Sequence, residues 1–233
     1  RKAPLVFCSS KTFEEQVYIQ QEMGQKQPFI FENGSAVAIP IGFFPADTYV
    51  ASRTEQGYDL VVFAHDDALA LRIELSKIQE IRGYSDVSDA ELSAITSLTE
   101  GALQRARARW YTETLVTPLS KDQALQVDER LKASGFVLSR GGRFYTAQSA
   151  AANKGKAVQW MMDLFRKTSS KMPYFAAIGD SPNDLPMLKV VDLPFLVQGP
   201  TQRWTEMELP ALVKMDGVGP IGFSAAIQML LGV

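Results

Sequence analysis

Tyr174-Phe-Ala-Ala-Ile-Gly-Asp-Ser-Pro-Asn-Asp-Leu-Pro-Met-Leu188 is the stretch on which the reading of this chain turns. Phe175 to Ile178 predicts a short parallel strand buried on both faces. Gly179 opens a tight turn, and Ser181-Pro182 offers an N-cap followed by Pro at the first helical position. Asp180 therefore falls at the carboxyl edge of a sheet, where open α/β folds place their ligands, and Asp184 lies about one helical turn further on, able to face the same spot. Two carboxylates at a strand tip suit a hard cation such as Mg²⁺, which takes oxygen ligands and completes its shell with water and phosphate. The plainer alternative is that Asp180 starts a turn and Asp184 caps it.

Upstream, Leu5 to Cys8 reads as a buried strand that runs through Ser9-Ser10-Lys11-Thr12 into an amphipathic helix, Phe13 to Met23. Hydroxyls between a strand and a helix N-terminus can bind phosphate or can simply cap the helix. Pro28 to Gly34 is a second apolar strand, and Asn33-Gly34 signals a hairpin into Ala36 to Pro40. From Tyr58 to Ala147 the pattern changes to strand, helices, strand, helix and hairpin, with Arg105, Arg107 and Arg109 before one strand and Arg140-Gly141-Gly142-Arg143 in the hairpin. Arginine forks pair with carboxylate or phosphate, and glycines let backbone N–H groups approach an anion; an Arg on a solvated helix face is the default for Arg105 and Arg107. Asn153-Lys-Gly-Lys156 then opens a helix, where Lys154 opposes the dipole unless an anion sits beside it.

With 233 residues, 46% hydrophobic and 21% charged, the chain can bury a real core, and its net charge of -2 gives no reason to expect a nucleic acid or membrane surface as partner. The lone Cys8 excludes an internal disulfide, reads as a small core residue and fits a reducing cytoplasm. Nothing resembles a membrane span or signal peptide, and one His, His65, cannot build a multi-His metal site.

Gly179-Asp180-Ser181-Pro182-Asn183-Asp184 after an apolar strand resembles the fourth motif of the haloacid dehalogenase (HAD) phosphohydrolases, in the form common among their Cof-type sugar phosphatases. Glu32-Asn33-Gly34, Ser139-Arg-Gly-Gly-Arg-Phe-Tyr145 and the Gly-Pro-Ile-Gly-Phe223 close bring the resemblance nearest to mannosyl-3-phosphoglycerate phosphatases. It implies an α/β, Rossmann-like core with a parallel sheet, expected at 1–56 and 148–233, carrying an inserted α/β cap of the C2 type at 57–147. It further implies Mg²⁺ at Asp180 and Asp184, phosphoryl binding by Ser9 with Ser10 and Lys11, and charge neutralisation by Lys154 with Lys156 second. Substrate contacts are implied at Asn33 or Glu32, Arg109, Arg140, Gly141, Gly142, Arg143 and Asn183.

Such enzymes start with Asp-x-Asp-Gly-Thr, whose first Asp attacks phosphorus and whose second acts as general acid and base; no such word occurs here. The resemblance therefore implies that a first strand and helix lie upstream. The activity expected is Mg²⁺-dependent hydrolysis of a small phosphorylated sugar-acid, mannosyl-3-phosphoglycerate or its glucosyl analogue. The alternatives are another HAD sugar phosphatase, such as a sucrose-phosphate or Cof-type enzyme, and a non-catalytic binding or regulatory relative.

Overall fold

The computed structural model describes residues 4–232; positions 1–3 and 233 of the expected core lie outside it. Strand β1 (Phe7–Cys8) leads to helix α1 (Phe13–Glu22), then β2 (Phe29–Phe31) and β3 (Ala36–Pro40). β4 (Arg53–Glu55) and β5 (Tyr58–Val62) complete a five-stranded sheet of order β1-β2-β3-β5-β4, parallel between β1 and β2 and antiparallel beyond. This moves the boundary expected at 57, because Tyr58–Val62 pairs residue for residue with Ala36–Pro40 and so belongs to the larger sheet.

Both faces of that sheet are buried at β2 and β3, as their unbroken apolar runs require. On one side Phe13 and Val17 of α1 meet Phe29, Phe31, Tyr58 and Leu60, with Trp110 stacked 4.9 Å from Phe13. On the other, Ile30, Val37 and Ile39 meet Ala157, Met161 and Leu164.

Helices α2 (Ala68–Ser76), α3 (Asp89–Thr96) and α4 (Glu100–Arg107) lead to β6 (Thr112–Thr114), α5 (Lys121–Lys132), β7 (Phe136–Gly141) and β8 (Phe144–Ser149). These three strands form an antiparallel sheet of order β6-β8-β7. Its two faces differ chemically, since side chains alternate along a strand. Leu138 and Ala147 pack with Leu71, Leu75, Val127 and Leu131 of α2 and α5. Thr112, Thr114, Ser139, Thr146 and Gln148 occupy the other, polar face, which turns toward the larger sheet.

The chain closes with α6 (Lys154–Thr168), β9 (Ala176–Gly179), α7 (Leu185–Leu188), β10 (Leu193–Gln198), β11 (Val213–Val218) and α8 (Pro220–Leu231). The last three strands form a parallel sheet of order β11-β10-β9. Among the described residues, β9 has a neighbour only in β10, and β1 only in β2. This corrects the expectation that both strands are fully buried: Phe7, Cys8, Ala177 and Ile178 are half-buried and Ala176 is exposed. No helix among the described residues is long and apolar enough to cross a membrane.

Candidate active site

The site is assembled where β1, the turn after β2, the start of α6 and the loop after β9 converge. That loop is held by Asp184, whose Oδ2 accepts hydrogen bonds from the backbone N–H of Asp180 (3.0 Å) and Ser181 (3.1 Å) and from the Ser181 hydroxyl (3.1 Å). Its Oδ1 receives Lys154 Nζ at 2.6 Å, with both side chains only 6% exposed. Lys154 stands at the start of α6 with Asn153 as N-cap, so the anion needed to offset an unfavourable cation there is Asp184.

The contact depends on small residues. A Cβ on Gly155 would lie 2.4 Å from the Pro186 carbonyl oxygen, and one on Gly179 would lie 2.6 Å from Asp184 Cβ. Only glycine lets these segments abut closely enough for the pair to form.

Burial raises the Asp184 carboxyl, but the Lys154 ammonium and three further donors more than reverse it, so its pKa falls below the ordinary carboxylate range. Lys154 moves up: burial opposes its charge, and Asp184, Cys8 and Asp180 together outweigh burial. Asp180 is exposed at the strand tip, and its carboxyl is pushed up by partial desolvation and then by the charge of Asp184. Cys8, beside Lys154 and Asp184, has its thiol pushed up to about 12 by burial and is no nucleophile.

This donor set fits a hard cation in one particular way. Both Asp184 oxygens are committed to protein donors, which leaves the Asp180 carboxylate, crowded by a like charge, as the group that a cation would relieve directly. Asp184 orients that loop.

Around this centre the sequence candidates separate into two groups. Ser9 accepts the Asn33 N–H at its carbonyl (3.0 Å) and the Lys11 N–H at its hydroxyl (3.2 Å). Thr12, not Ser9 or Ser10, is the N-cap of α1, in a capping box with Glu15. Helix capping therefore does not explain the two serines. Asn33 Oδ1 accepts from Asn183 Nδ2 (3.0 Å), and Asn33 Nδ2 reaches Ser139 Oγ (3.3 Å), joining the Asp180 loop to the polar sheet face. Lys156 turns away, its Nζ on the Ala151 carbonyl (2.7 Å).

The second group lines an adjacent cavity of about 220 Å³, walled by Ser10, Lys11, Tyr84, Arg109, Gly141 and Arg143 among others. Lys11 pairs with Glu15 (2.9 Å), Arg143 donates to the Ile95 carbonyl (3.1 Å), and Gly141 lies where a Cβ would meet Asn183 Nδ2 at 2.9 Å. Gly142 is an exposed turn glycine at φ +56°.

Arg140 is not in the cavity wall. Strand alternation sets it with Tyr145 on the face that carries Leu138 and Ala147, its guanidinium 5.6 Å from the Tyr145 ring, while Ser139 and Gly141 face the site. Arg105 lies over Tyr18, and Arg107 binds Asp89 and the Tyr84 and Val87 carbonyls, both structural roles.

Glu32-Asn33-Gly34 is not a two-residue hairpin loop; all three residues have positive φ, and Phe31 pairs with Ala36 across a four-residue connection. Fully buried Glu32 instead accepts hydrogen bonds from the N–H of Trp110 (2.8 Å) and Tyr111 (3.0 Å) and from the Thr112 hydroxyl (2.7 Å). Sequence reasoning missed Thr112, whose role depends on a partner 80 residues away.

Residues 1–206 match the family of haloacid dehalogenase-like hydrolases. The chain belongs to this family. Among its relatives is the glucosyl-3-phosphoglycerate/mannosyl-3-phosphoglycerate phosphatase of Persephonella marina, 32% identical over 98% of this chain and 84% of that one. The mannosyl-3-phosphoglycerate phosphatase of Pyrococcus furiosus is 36% identical over 83% of this chain and 77% of that one. A haloalkanoate-superfamily phosphatase structure from Bacteroides thetaiotaomicron superposes with a TM-score of 0.64 at 14% identity, over 99% of this chain and 82% of that one, which bears on the fold alone. As a member of the family the chain is a hydrolase with a HAD-type α/β fold.

Proposed function

We propose that this hydrolase is a Mg²⁺-dependent phosphatase of a sugar-phosphoglycerate, mannosyl-3-phosphoglycerate or its glucosyl analogue. One observation carries the reading. A buried ammonium and an exposed carboxylate at a strand tip lie next to a cavity edged by Lys11, Arg109 and Arg143, which suits a phosphoryl group with a second anion beyond it. The named activities of the relatives support the same substrate class.

The geometry supports a division of labour. Lys154, held by Asp184, supplies fixed positive charge toward the phosphoryl group, and Ser9 and Ser10 offer hydroxyls at the end of β1. Asp180 would hold Mg²⁺, which when bound neutralises phosphate charge. The polar sheet and its helices, about residues 64–149, act as a cap that closes over the core.

The chemistry of the family calls for an attacking carboxylate. Its oxygen would form a bond to phosphorus as the sugar-acid oxygen leaves, and water would then release phosphate and restore the carboxylate. A reducing cytoplasm suits the lone thiol.

The test is phosphate release from mannosyl-3-phosphoglycerate by protein expressed from its own gene, with and without Mg²⁺. Turnover that requires Mg²⁺ and exceeds that on sucrose phosphate supports the reading; equal rates on both substrates favour a general sugar phosphatase. Binding of the substrate by that protein without turnover establishes the non-catalytic alternative.

A further inference from the structure

Arg109 is the cavity residue whose hydrogen bonds are most unevenly used. Its Nη1 donates both to the Ser10 carbonyl (3.3 Å) and to Thr112 Oγ1 (2.8 Å), so a single nitrogen ties it to the core loop and to β6 at once. Its Nε is buried and has no partner among the described residues. A guanidinium tethered through Nη1 keeps its Nη2, which has no partner among the described residues and can donate to a carboxylate. A cationic donor left unfilled in the wall of a cavity points to an anionic ligand.

What holds Arg109 in that attitude is the Thr112 hydroxyl, and what orders that hydroxyl is Glu32. A hydroxyl has one proton to give, and Thr112 gives it to Glu32 Oε2 at 2.7 Å. Its lone pairs are thereby left for Arg109 Nη1. Glu32 and Thr112 are both fully buried, so the bond between them does not compete with water. Two backbone donors, Trp110 and Tyr111, fix the carboxylate itself. Burial pushes the Glu32 carboxyl up, and the Arg109 guanidinium, which it faces through the hydroxyl, is the largest influence that opposes this.

We propose that Glu32 is a positioning residue: acting through Thr112, it sets the Arg109 guanidinium in the cavity wall as the receptor for the carboxylate of the substrate's non-transferred part. The inference rests on the sugar-phosphoglycerate reading above and deepens it. It also sets aside Arg140, an expected substrate contact, since that side chain lies on the other face of the sheet.

Calorimetric binding of two probes tests the relay without requiring turnover. 3-Phosphoglycerate carries phosphate and carboxylate, whereas inorganic phosphate carries only the first. Wild-type protein should bind 3-phosphoglycerate more tightly than phosphate. Thr112→Val, which removes only the relay hydroxyl, should weaken 3-phosphoglycerate by roughly tenfold and phosphate by less than about twofold. Thr112→Ser should retain wild-type affinity for both. Glu32→Gln should behave like Thr112→Val; if it does not fold, the two Thr112 variants decide the matter alone. Equal weakening on both probes, unchanged preference in Thr112→Val, or failure of Thr112→Ser to preserve it overturns the relay while leaving the substrate reading intact. A wild-type protein that binds 3-phosphoglycerate no better than phosphate overturns the substrate reading, and the relay with it.

Discussion

Replacing Lys154 by Met removes the ammonium but keeps most of the side chain's length, and the structure allows the outcome to be worked through. Asp184 would keep three donors on Oδ2 but lose the sole partner of Oδ1, in a position where its side chain is 6% exposed. Breaking a buried pair by removing one member costs about 3–5 kcal/mol, because the remaining charge is stranded. The surviving bonds to Oδ2 place this site at the lower end, about 3 kcal/mol. For a chain of this size that corresponds to a fall in Tm of roughly 6–12 °C.

The pH dependence gives the sharper check. In the native protein Asp184 has a folded pKa below its unfolded value, so its stabilisation is present above the unfolded value and is lost as pH falls through the folded one. Without Lys154, burial dominates and the Asp184 pKa rises above the unfolded value. The variant's deficit should therefore be full at neutral pH and shrink as acid protonates the carboxyl. Lys154→Met combined with Asp184→Asn, which leaves no buried charge, should melt above either single variant. Calorimetric melts at pH 7 and pH 5 measure all of this. A single variant that melts with the wild type, or a deficit that is the same at both pH values, would refute the argument.

Asp180→Asn should abolish Mg²⁺ binding measured by titration calorimetry while shifting Tm by less than about 2 °C, since the side chain lies outside the packed core; retained Mg²⁺ affinity would remove Asp180 as the ligand. Arg140→Ala should leave 3-phosphoglycerate binding within about twofold of wild type, whereas Arg109→Ala should weaken it roughly tenfold to a hundredfold; the reverse order would restore Arg140 as the substrate contact. With a thiol at about 12, Cys8 should be about one part in ten thousand thiolate at pH 8 and resist alkylation in native protein, and rapid labelling there would contradict its assignment as inert.

Local chemistry made much of the molecule legible in its sequence. Gly179-Asp180 through Asp184 carried strand, turn and paired carboxylates in six residues, because each step there is decided by neighbours in the chain. Lys154 was legible as a cation needing an anion, since the helix dipole is a local property. Strand alternation was equally available for Arg140, but which face of the hairpin met the core was not.

That choice was made by Leu138 and Ala147, which had to cover α2 and α5, and it carried Arg140 with them. Glu32 shows the same limit from the other side. In sequence it belonged to a hairpin word; in the fold its carboxylate is buried where Trp110, Tyr111 and Thr112 arrive, and burial without water makes those three bonds decisive. Periodicity and turn chemistry reach a few residues, so they determine strands, caps and motif loops. Which carboxylate holds which arginine, 77 positions from Glu32 to Arg109, is decided only when the polar sheet face settles over the core and excludes water from between them.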